Sequence, residues 1–207
     1  MVMLLRGFQF QLKLFLFCLL LVSCAASPQL PHLSQDAVIL AFGDSLTYGS
    51  GVVSDQAYPA ILSRLTAHKV VNAGVPGEVT EEGLARLPQL LDEVQPELII
   101  ICHGGNDILR RMSLNRAKDN IHAMVELSRA KGISVLLLSV PELGLFLSPP
   151  VIYQELADEL NIPLESEVLS EVLQNPALKS DRIHPSGEGY RIVAESVYRL
   201  LKSSGAL

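Results

Sequence analysis

Two uninterrupted apolar runs constrain the fold of this chain more than any other feature. They are "LIIIC" at Leu98–Cys102 and "SVLLLSV" at Ser134–Val140. Short apolar runs without polar alternation are typical of strands that are buried on both faces, as in a parallel sheet. Both faces of such a sheet must be covered, so the rest of the chain should supply amphipathic helices.

Strand and helix patterns alternate along the rest of the chain. Further strands are predicted at Ala37–Phe42 and Lys69–Asn72, and a short fifth strand at Ile162–Leu164. Amphipathic helices are predicted at Ala57–Ala67, Thr80–Leu91, Asn115–Lys131, Val151–Leu160 and Gly187–Lys202. Pro88 is expected to kink or split the second of these helices. The order predicts one α/β domain over residues 37–207, with a doubly wound five-stranded parallel sheet between helical layers.

The first 36 residues have the pattern of an export signal followed by a tether. Arg6 and Lys13 precede the apolar stretch "LFLFCLLLV", and the small residues "SCAAS" follow it. The stretch is short for a transmembrane helix. "LVSC", which ends at Cys24, resembles the bacterial lipobox and implies removal of residues 1–23 and lipidation of Cys24. Ordinary cleavage after Ala26 is the alternative. Residues 24–36 are then expected to be the lipidated cysteine and a tether.

Charge and cysteine content limit the classes of partner. Removing residues 1–23 takes away two basic residues and no acidic ones, so the formal charge moves from −6 to −8. An acidic domain is a poor candidate for electrostatic binding of nucleic acid or anionic lipid. Cys102 would be the one remaining cysteine besides Cys24, so we expect no internal disulfide and a protein stabilised by its core.

Polar clusters follow the predicted strands, where the carboxyl ends of a parallel sheet bind ligands. They are "GDS" at 43–45, "NAGVPGEVT" at 72–80 and "HGGNDILRR" at 103–111, with "SDRIHPSGEGY" at 180–190 before the last helix. Ser45 is either a residue of a strand-ending turn or a nucleophile held at this edge. A nucleophilic serine needs a base, usually a histidine, which titrates near neutral pH.

His184 is the best candidate for that base. Asp181 stands three residues before it and could orient the imidazole ring. A surface turn or half of a metal site is the alternative, but no further His or Cys cluster supports a metal. His103 is predicted to be a packing or pocket-wall residue. Gly77 and Asn106 could donate hydrogen bonds to a developing oxyanion, although each is also an ordinary turn residue.

Four stretches together resemble a known family. "FGDSLTYG", "NAGVPGEVT", "GGND" and "DRIHP" resemble, in order, the four sequence blocks of the SGNH (GDSL-type) hydrolases. "GLARLPQLL" and "CHGGNDILRR" resemble the branch that holds arylesterases, thioesterase I and lysophospholipase L1. The resemblance implies a flavodoxin-like three-layer α/β/α fold and an ester hydrolase without metal or cofactor. It also implies residue roles: Ser45 is the nucleophile, His184 the general base oriented by Asp181, and Ser45, Gly77 and Asn106 form the oxyanion hole.

The substrate pocket is the least defined part of the sequence. Asp44, His103, Leu145 and Phe146 are its candidate residues, although His103 stands where relatives often have an apolar residue. The loop 140–153 is either a wall or lid for an acyl chain, or a loop packed on the core. The sequence does not indicate an oligomeric state.

The expected function is hydrolysis of carboxylic esters such as lysophospholipids, short esters or thioesters. Two alternatives stay open: a sugar or peptidoglycan O-acetyl esterase, and a non-catalytic envelope lipoprotein. The lipobox predicts a protein of the bacterial cell envelope that is anchored to a membrane. Ala25, after the lipidated cysteine, resembles the sorting pattern for the outer membrane.

Overall fold

Five parallel strands form the centre of the protein in its computed structural model, which describes residues 28–142 and 147–207. The sheet has the order β2-β1-β3-β4-β5, and each pair of neighbours is parallel. This is the flavodoxin-like order, and it confirms the predicted fold class. The strands are β1 Val38–Gly43, β2 Lys69–Gly74, β3 Leu98–Cys102, β4 Ser134–Leu138 and β5 Leu164–Glu165.

Helices cover both faces of this sheet. The α-helices in the described residues are α1 Ser45–Tyr48, α2 Tyr58–Thr66, α3 Thr80–Val94, α4 Gly105–Leu109, α5 Leu114–Ala130, α6 Ile152–Leu160, α7 Val168–Gln174 and α8 Gly187–Ser203. Helix α2 packs against α8, and α3 packs against α5. The connections before and after β2 run in opposite directions along the sheet, so right-handed crossovers put α2 and α3 on opposite faces. Within the described residues, no helix has the length and hydropathy needed to cross a bilayer.

Several predicted elements differ from the structure. The fifth strand is Leu164–Glu165, not Ile162–Leu164, and the fourth ends at Leu138 instead of Val140. Helix α3 runs without interruption from Thr80 to Val94, so Pro88 does not split it. Helices α1, α4 and α7 were not predicted, because helices of four to seven residues are too short to show a full apolar period.

The end of β1 is packed too closely for any side chain. A Cβ added at Gly43 would lie 2.1 Å from the carbonyl oxygen of Cys102 on the neighbouring β3. Glycine therefore allows the two strands to remain paired up to their last residues, since Gly43 still pairs with Cys102. The chain then turns into Asp44 and Ser45 at the carboxyl edge of the sheet.

The described part of the predicted tether packs against the domain. The Leu30 amide donates to the Ser204 carbonyl (2.7 Å), and the Leu33 amide donates to the Ala206 carbonyl (2.9 Å). The Leu33 side chain belongs to the core cluster. The described residues of the predicted tether therefore lie against the domain, because Leu33 and the backbone of this segment find partners near the carboxyl terminus of the chain.

Candidate active site

Ser45 lies at the start of the short helix α1, one residue beyond Asp44 at the end of β1. The Asp44 carboxylate caps this helix by accepting a hydrogen bond from the Leu46 amide (3.0 Å). This contact closes a tight turn, as aspartate does at helix starts. The turn leaves the Ser45 hydroxyl at the carboxyl edge of the sheet, where ligands bind in this fold.

A chain of two hydrogen bonds links Ser45 to a histidine and an aspartate. The Ser45 Oγ lies 3.0 Å from His184 Nε2, and His184 Nδ1 lies 2.7 Å from Asp181 Oδ2. Because a carboxylate accepts from Nδ1–H, Nε2 is left to accept the proton of the serine hydroxyl. The structure therefore brings together the three residues that the sequence singled out, although Ser45 and His184 are 139 positions apart in the chain.

The turn before α8 holds Asp181 and His184 in place. The second oxygen of Asp181 accepts hydrogen bonds from the backbone amides of Ile183 (2.8 Å) and His184 (2.9 Å). Burial alone would raise the pKa of Asp181, but the hydrogen bonds from the His184 ring and these amides outweigh it and lower the pKa below its ordinary value. The carboxylate is therefore ionised at neutral pH. Only an anionic partner of this kind can stabilise a histidine ring that takes up a proton.

The candidate oxyanion donors follow strands β1, β2 and β3: Ser45 begins helix α1, Gly77 lies in the loop after β2, and Asn106 lies in helix α4. Gly77 has a φ of 83°, a conformation that favours glycine, and its carbonyl accepts a hydrogen bond from Arg110 Nη2 (2.7 Å). The Asn106 amide donates to Asp44 Oδ2 (3.2 Å) and to the carbonyl of Glu78 (3.0 Å).

Asp44 is a buried acid between the start of helix α1 and the Asn106 side chain. Its side chain is 1% exposed, and this burial raises the pKa of Asp44 above its ordinary value, only partly offset by the nearby His103 and His184 rings and the Leu46 amide. The carboxyl group caps α1 and accepts from the Asn106 amide at the same time, which links the turn before α1 to helix α4.

An apolar pocket opens beside Ser45 and His184. Ser45, His184, Asp44 and Asn106 line its polar end, and the rest of its wall is largely apolar: Leu46, Ile108, Leu109, Val140, Pro141, Leu173 and Ile183. Such a lining suits the hydrocarbon part of a ligand, with the reactive group held at the polar end.

Not every predicted pocket residue lies in this pocket. Asp44 does, but His103 is fully buried and packs against Phe42 and Glu78 behind the edge, so its role as a pocket wall is corrected to core packing. Leu145, Phe146 and Cys24 lie outside the described residues. In the part of the chain that the structure describes, no group of three or more His, Cys, Asp or Glu side chains could hold a metal ion.

Sequence reasoning missed two charged residues behind the oxyanion donors. Glu78 and Arg86 form a close ion pair, with 2.6 Å between Arg86 Nε and Glu78 Oε1. In the sequence, Glu78 lies in the polar cluster at 72–80, and Arg86 lies in the helix predicted at Thr80–Leu91. Their separation of eight positions is not a spacing at which two residues of one helix meet, so only the folded loop brings them together.

Known proteins are similar to this chain in sequence and in structure. The model of the GDSL-like lipase/acylhydrolase family matches residues 41–192. The chain is 38% identical to esterase TesA of Pseudomonas aeruginosa over 127 residues, which are 59% of this chain and 63% of that protein. It is 30% identical to thioesterase 1/protease 1/lysophospholipase L1 of Escherichia coli over 196 residues, which are 91% of this chain and 90% of that protein.

A solved structure gives the same result at the level of the fold. The crystal structure of TesA matches with a TM-score of 0.73 and 30% sequence identity, covering 81% of this chain and 99% of that chain. The family match spans the strand end that carries Ser45 and the turn that carries Asp181 and His184. The chain therefore belongs to the GDSL-like lipase/acylhydrolase family.

Proposed function

We propose that this carboxylic ester hydrolase works through an acyl-serine intermediate on Ser45, with His184 as general base and Asp181 as the group that orients it. The observation that carries the proposal is the pair of hydrogen bonds, 3.0 Å and 2.7 Å, that runs from Ser45 Oγ through the His184 ring to Asp181. A serine is a weak nucleophile unless a neighbouring base takes its proton, and this arrangement supplies the base.

The first half of the reaction forms the acyl-enzyme. His184 Nε2 takes the Ser45 hydroxyl proton while Oγ attacks the ester carbonyl carbon, and the carbonyl oxygen becomes an oxyanion. The backbone amides of Ser45 and Gly77 and the Asn106 side-chain amide donate to that oxyanion. The intermediate then collapses, the bond to the alcohol oxygen breaks, and His184 returns its proton to the leaving alcohol.

The second half releases the acid. His184 takes a proton from a water molecule, whose oxygen attacks the acyl carbon, and the same three donors hold the new oxyanion. When the Ser45 Oγ–carbon bond breaks, His184 returns the proton to Ser45 and the carboxylic acid leaves. Asp181 stabilises the charged ring in both halves without taking the proton itself.

The apolar pocket supports esters with a hydrocarbon acyl group as the substrate class. The side chains of Ile108, Leu109 and Leu173 offer surface that acyl carbons can bury, at about 0.8 kcal/mol per methylene. Lysophospholipids, short esters and thioesters share this feature. An enzyme dedicated to acetyl groups on sugars would need polar contacts for the sugar, and the pocket wall is largely apolar.

The amino-terminal segment supports a second part of the proposal: export and attachment to a membrane through Cys24. "LVSC" at 21–24 resembles the lipobox, and the diacylglycerol and further acyl chain of a bacterial lipoprotein suffice for stable anchoring. The protein would then act in the cell envelope, where cytosolic acyl-CoA thioesters are out of reach. Cells labelled with radioactive palmitate should label the wild type and not Cys24→Ala; label that survives the substitution would refute the anchor.

The catalytic proposal is tested by hydrolysis of p-nitrophenyl esters from acetate to palmitate. Ser45→Ala should lower kcat by a factor of about 10⁶, as loss of a nucleophilic serine can. Ser203→Ala, at an exposed position at the far end of α8, is the matched control and should keep full activity. Activity that survives Ser45→Ala would mean that Ser45 is not the nucleophile.

A further inference from the structure

A half-buried ion pair lies behind the candidate oxyanion donors. Arg86 Nε donates to Glu78 Oε1 (2.6 Å), and Arg86 Nη2 donates to Glu78 Oε2 (2.7 Å). The Glu78 side chain is 6% exposed and that of Arg86 is 28% exposed. Two parallel bonds from a planar guanidinium fix both distance and angle, so this pair can act as a rigid spacer.

Arg86 also contacts the ends of two strands. Its Nη2 donates to the carbonyl of Ala73 in β2 (2.9 Å). The same nitrogen makes a weaker contact, of 3.4 Å, with the carbonyl of Gly43 at the end of β1. The guanidinium stacks 4.2 Å from the centroid of the Phe42 ring, a favourable cation–π position. Ser45 lies two residues after the end of β1, and Gly77 lies three residues after the end of β2. The Arg86 side chain therefore contacts both strands that lead to these two proposed donors.

Glu78 extends these contacts to the third donor. Its carboxylate lies 3.0 Å from Nε2 of His103, the residue directly after β3, and its carbonyl accepts from the Asn106 amide (3.0 Å). Burial would raise the pKa of Glu78, but hydrogen bonds from His103 and Arg86 outweigh it and lower that pKa. The carboxylate is thus ionised, and His103 donates to it through Nε2.

We propose that Arg86 and Glu78 are positioning residues for the oxyanion hole, holding the segments of Ser45, Gly77 and Asn106 at fixed separations without touching the substrate. The inference rests on the proposed function. Donors stabilise a transition state only when they are already in place, and a misplacement of about 1 Å can lower the rate about 100-fold. Loss of the ion pair should therefore lower kcat and leave KM within about twofold, since the acyl pocket is unchanged.

The test compares Arg86→Met, Arg86→Lys and Glu78→Gln with a surface control, Arg116→Met, which lies at an exposed position in α5. Each variant is assayed with p-nitrophenyl esters at a temperature at which circular dichroism shows it to be folded. We expect kcat to fall about 30- to 100-fold in Arg86→Met. Arg86→Lys should recover part of that loss, because lysine keeps the charge but not the two-pronged contact. If Arg86→Met does not fold, the other two variants carry the comparison.

A double-mutant cycle with Asn106→Ala separates positioning from general stability. If Arg86 acts through the donors, Arg86→Met should cost clearly less in the Asn106→Ala background than in the wild type, because one donor is already gone. An equal cost in both backgrounds, or an unchanged kcat in all three variants, would overturn the inference. Ser45→Ala is assayed alongside: survival of its activity would refute the catalytic proposal, whereas its loss together with normal Arg86 variants would refute only the positioning role.

Discussion

At the residue scale, the site depends on how one carboxylate is held. Asp181 accepts from the His184 ring with one oxygen and from two backbone amides with the other. These contacts fix the carboxylate before the reaction begins and hold the pKa of Asp181 below its ordinary value against the effect of burial. The imidazole is therefore presented to Ser45 in the tautomer that can accept a proton.

Asp181→Asn should keep the fold and lose most of the activity. The amide can still accept from the backbone, but it cannot serve as an anionic partner for the charged ring, and it favours the wrong tautomer of His184. We expect kcat to fall by about 10³- to 10⁴-fold, measured with p-nitrophenyl butyrate at pH 7.5. Asp119→Asn, at an exposed position in α5, is the control. A loss below tenfold would contradict the proposed role of Asp181.

The pKa of Asp181 also predicts the shape of the acid side of the activity profile. Because that pKa is lowered, the carboxylate stays ionised as the pH falls through the weakly acidic range, so Asp181 takes up no proton there. Log kcat/KM should then fall with a slope of about one per pH unit. A slope of two, measured in buffers of constant ionic strength, would contradict this expectation, because two groups would then take up protons in that range.

At the element scale, helix α3 connects the loop that carries Gly77 to the core. Its amino end is held by Asp107, which accepts from the Thr80 amide (3.0 Å) and the Thr80 hydroxyl (2.7 Å). Leu87 and Leu91 pack into the core, and Arg86 on the same helix contacts Glu78. Pro88 lies on the exposed side of this helix, and because proline has no amide hydrogen, the Leu84 carbonyl lacks its usual helical donor.

Pro88→Ala should stabilise the protein. The alanine restores a backbone amide that can donate to the Leu84 carbonyl, and alanine is the better helix former by about 3 kcal/mol. The loss of proline rigidity in the unfolded chain offsets part of this, so we expect a rise of about 1–2 kcal/mol in the free energy of unfolding. Urea unfolding measures it, with Gln89→Ala as a surface control expected within about 0.5 kcal/mol. A decrease in stability would show that Pro88 relieves a strain in α3.

At the scale of the whole molecule, the amino-terminal segment and the active site lie at opposite ends of α8. Helix α8 begins three residues after His184 and ends at Ser203, beside the Ser204 carbonyl that accepts from Leu30. Its 17 residues span about 25 Å. The four residue steps from Cys24 to Pro28 reach about 15 Å at most. The attachment through Cys24 proposed above would therefore hold the pocket away from the bilayer.

Lengthening the amino-terminal segment should therefore change which esters the anchored enzyme can reach. The lipidated full chain and a variant with 20 Gly/Ser residues inserted after Ser27 are placed in vesicles that carry a fluorogenic long-chain ester. We expect the variant to hydrolyse this ester several-fold faster, since a flexible insert of that length spans about 25 Å. Both proteins should hydrolyse a water-soluble ester equally. Equal rates on the bilayer ester would refute the orientation.

The sequence by itself determined the order of the five strands and the longer helices, and the residues at the carboxyl edge of the sheet. Both follow from local patterns, because apolar runs define strands and parallel strands bring their carboxyl ends to one edge. This is why Ser45 could be named before the structure was known, whereas Asp181 and His184 were named from their spacing of three residues and from the need of a serine for a base. The family resemblance added the expected roles of Gly77 and Asn106.

Only the tertiary structure decided how these residues are held. The bond from Asn106 to Asp44 joins residues 62 positions apart, and the contact of Glu78 with His103 joins residues 25 positions apart. The docking of Leu30 beside Ser204 joins the two ends of the domain. Such contacts depend on strand register and helix packing to within about an ångström, because a hydrogen bond weakens steeply beyond its short range of distance and angle, and no local pattern of residues carries that information.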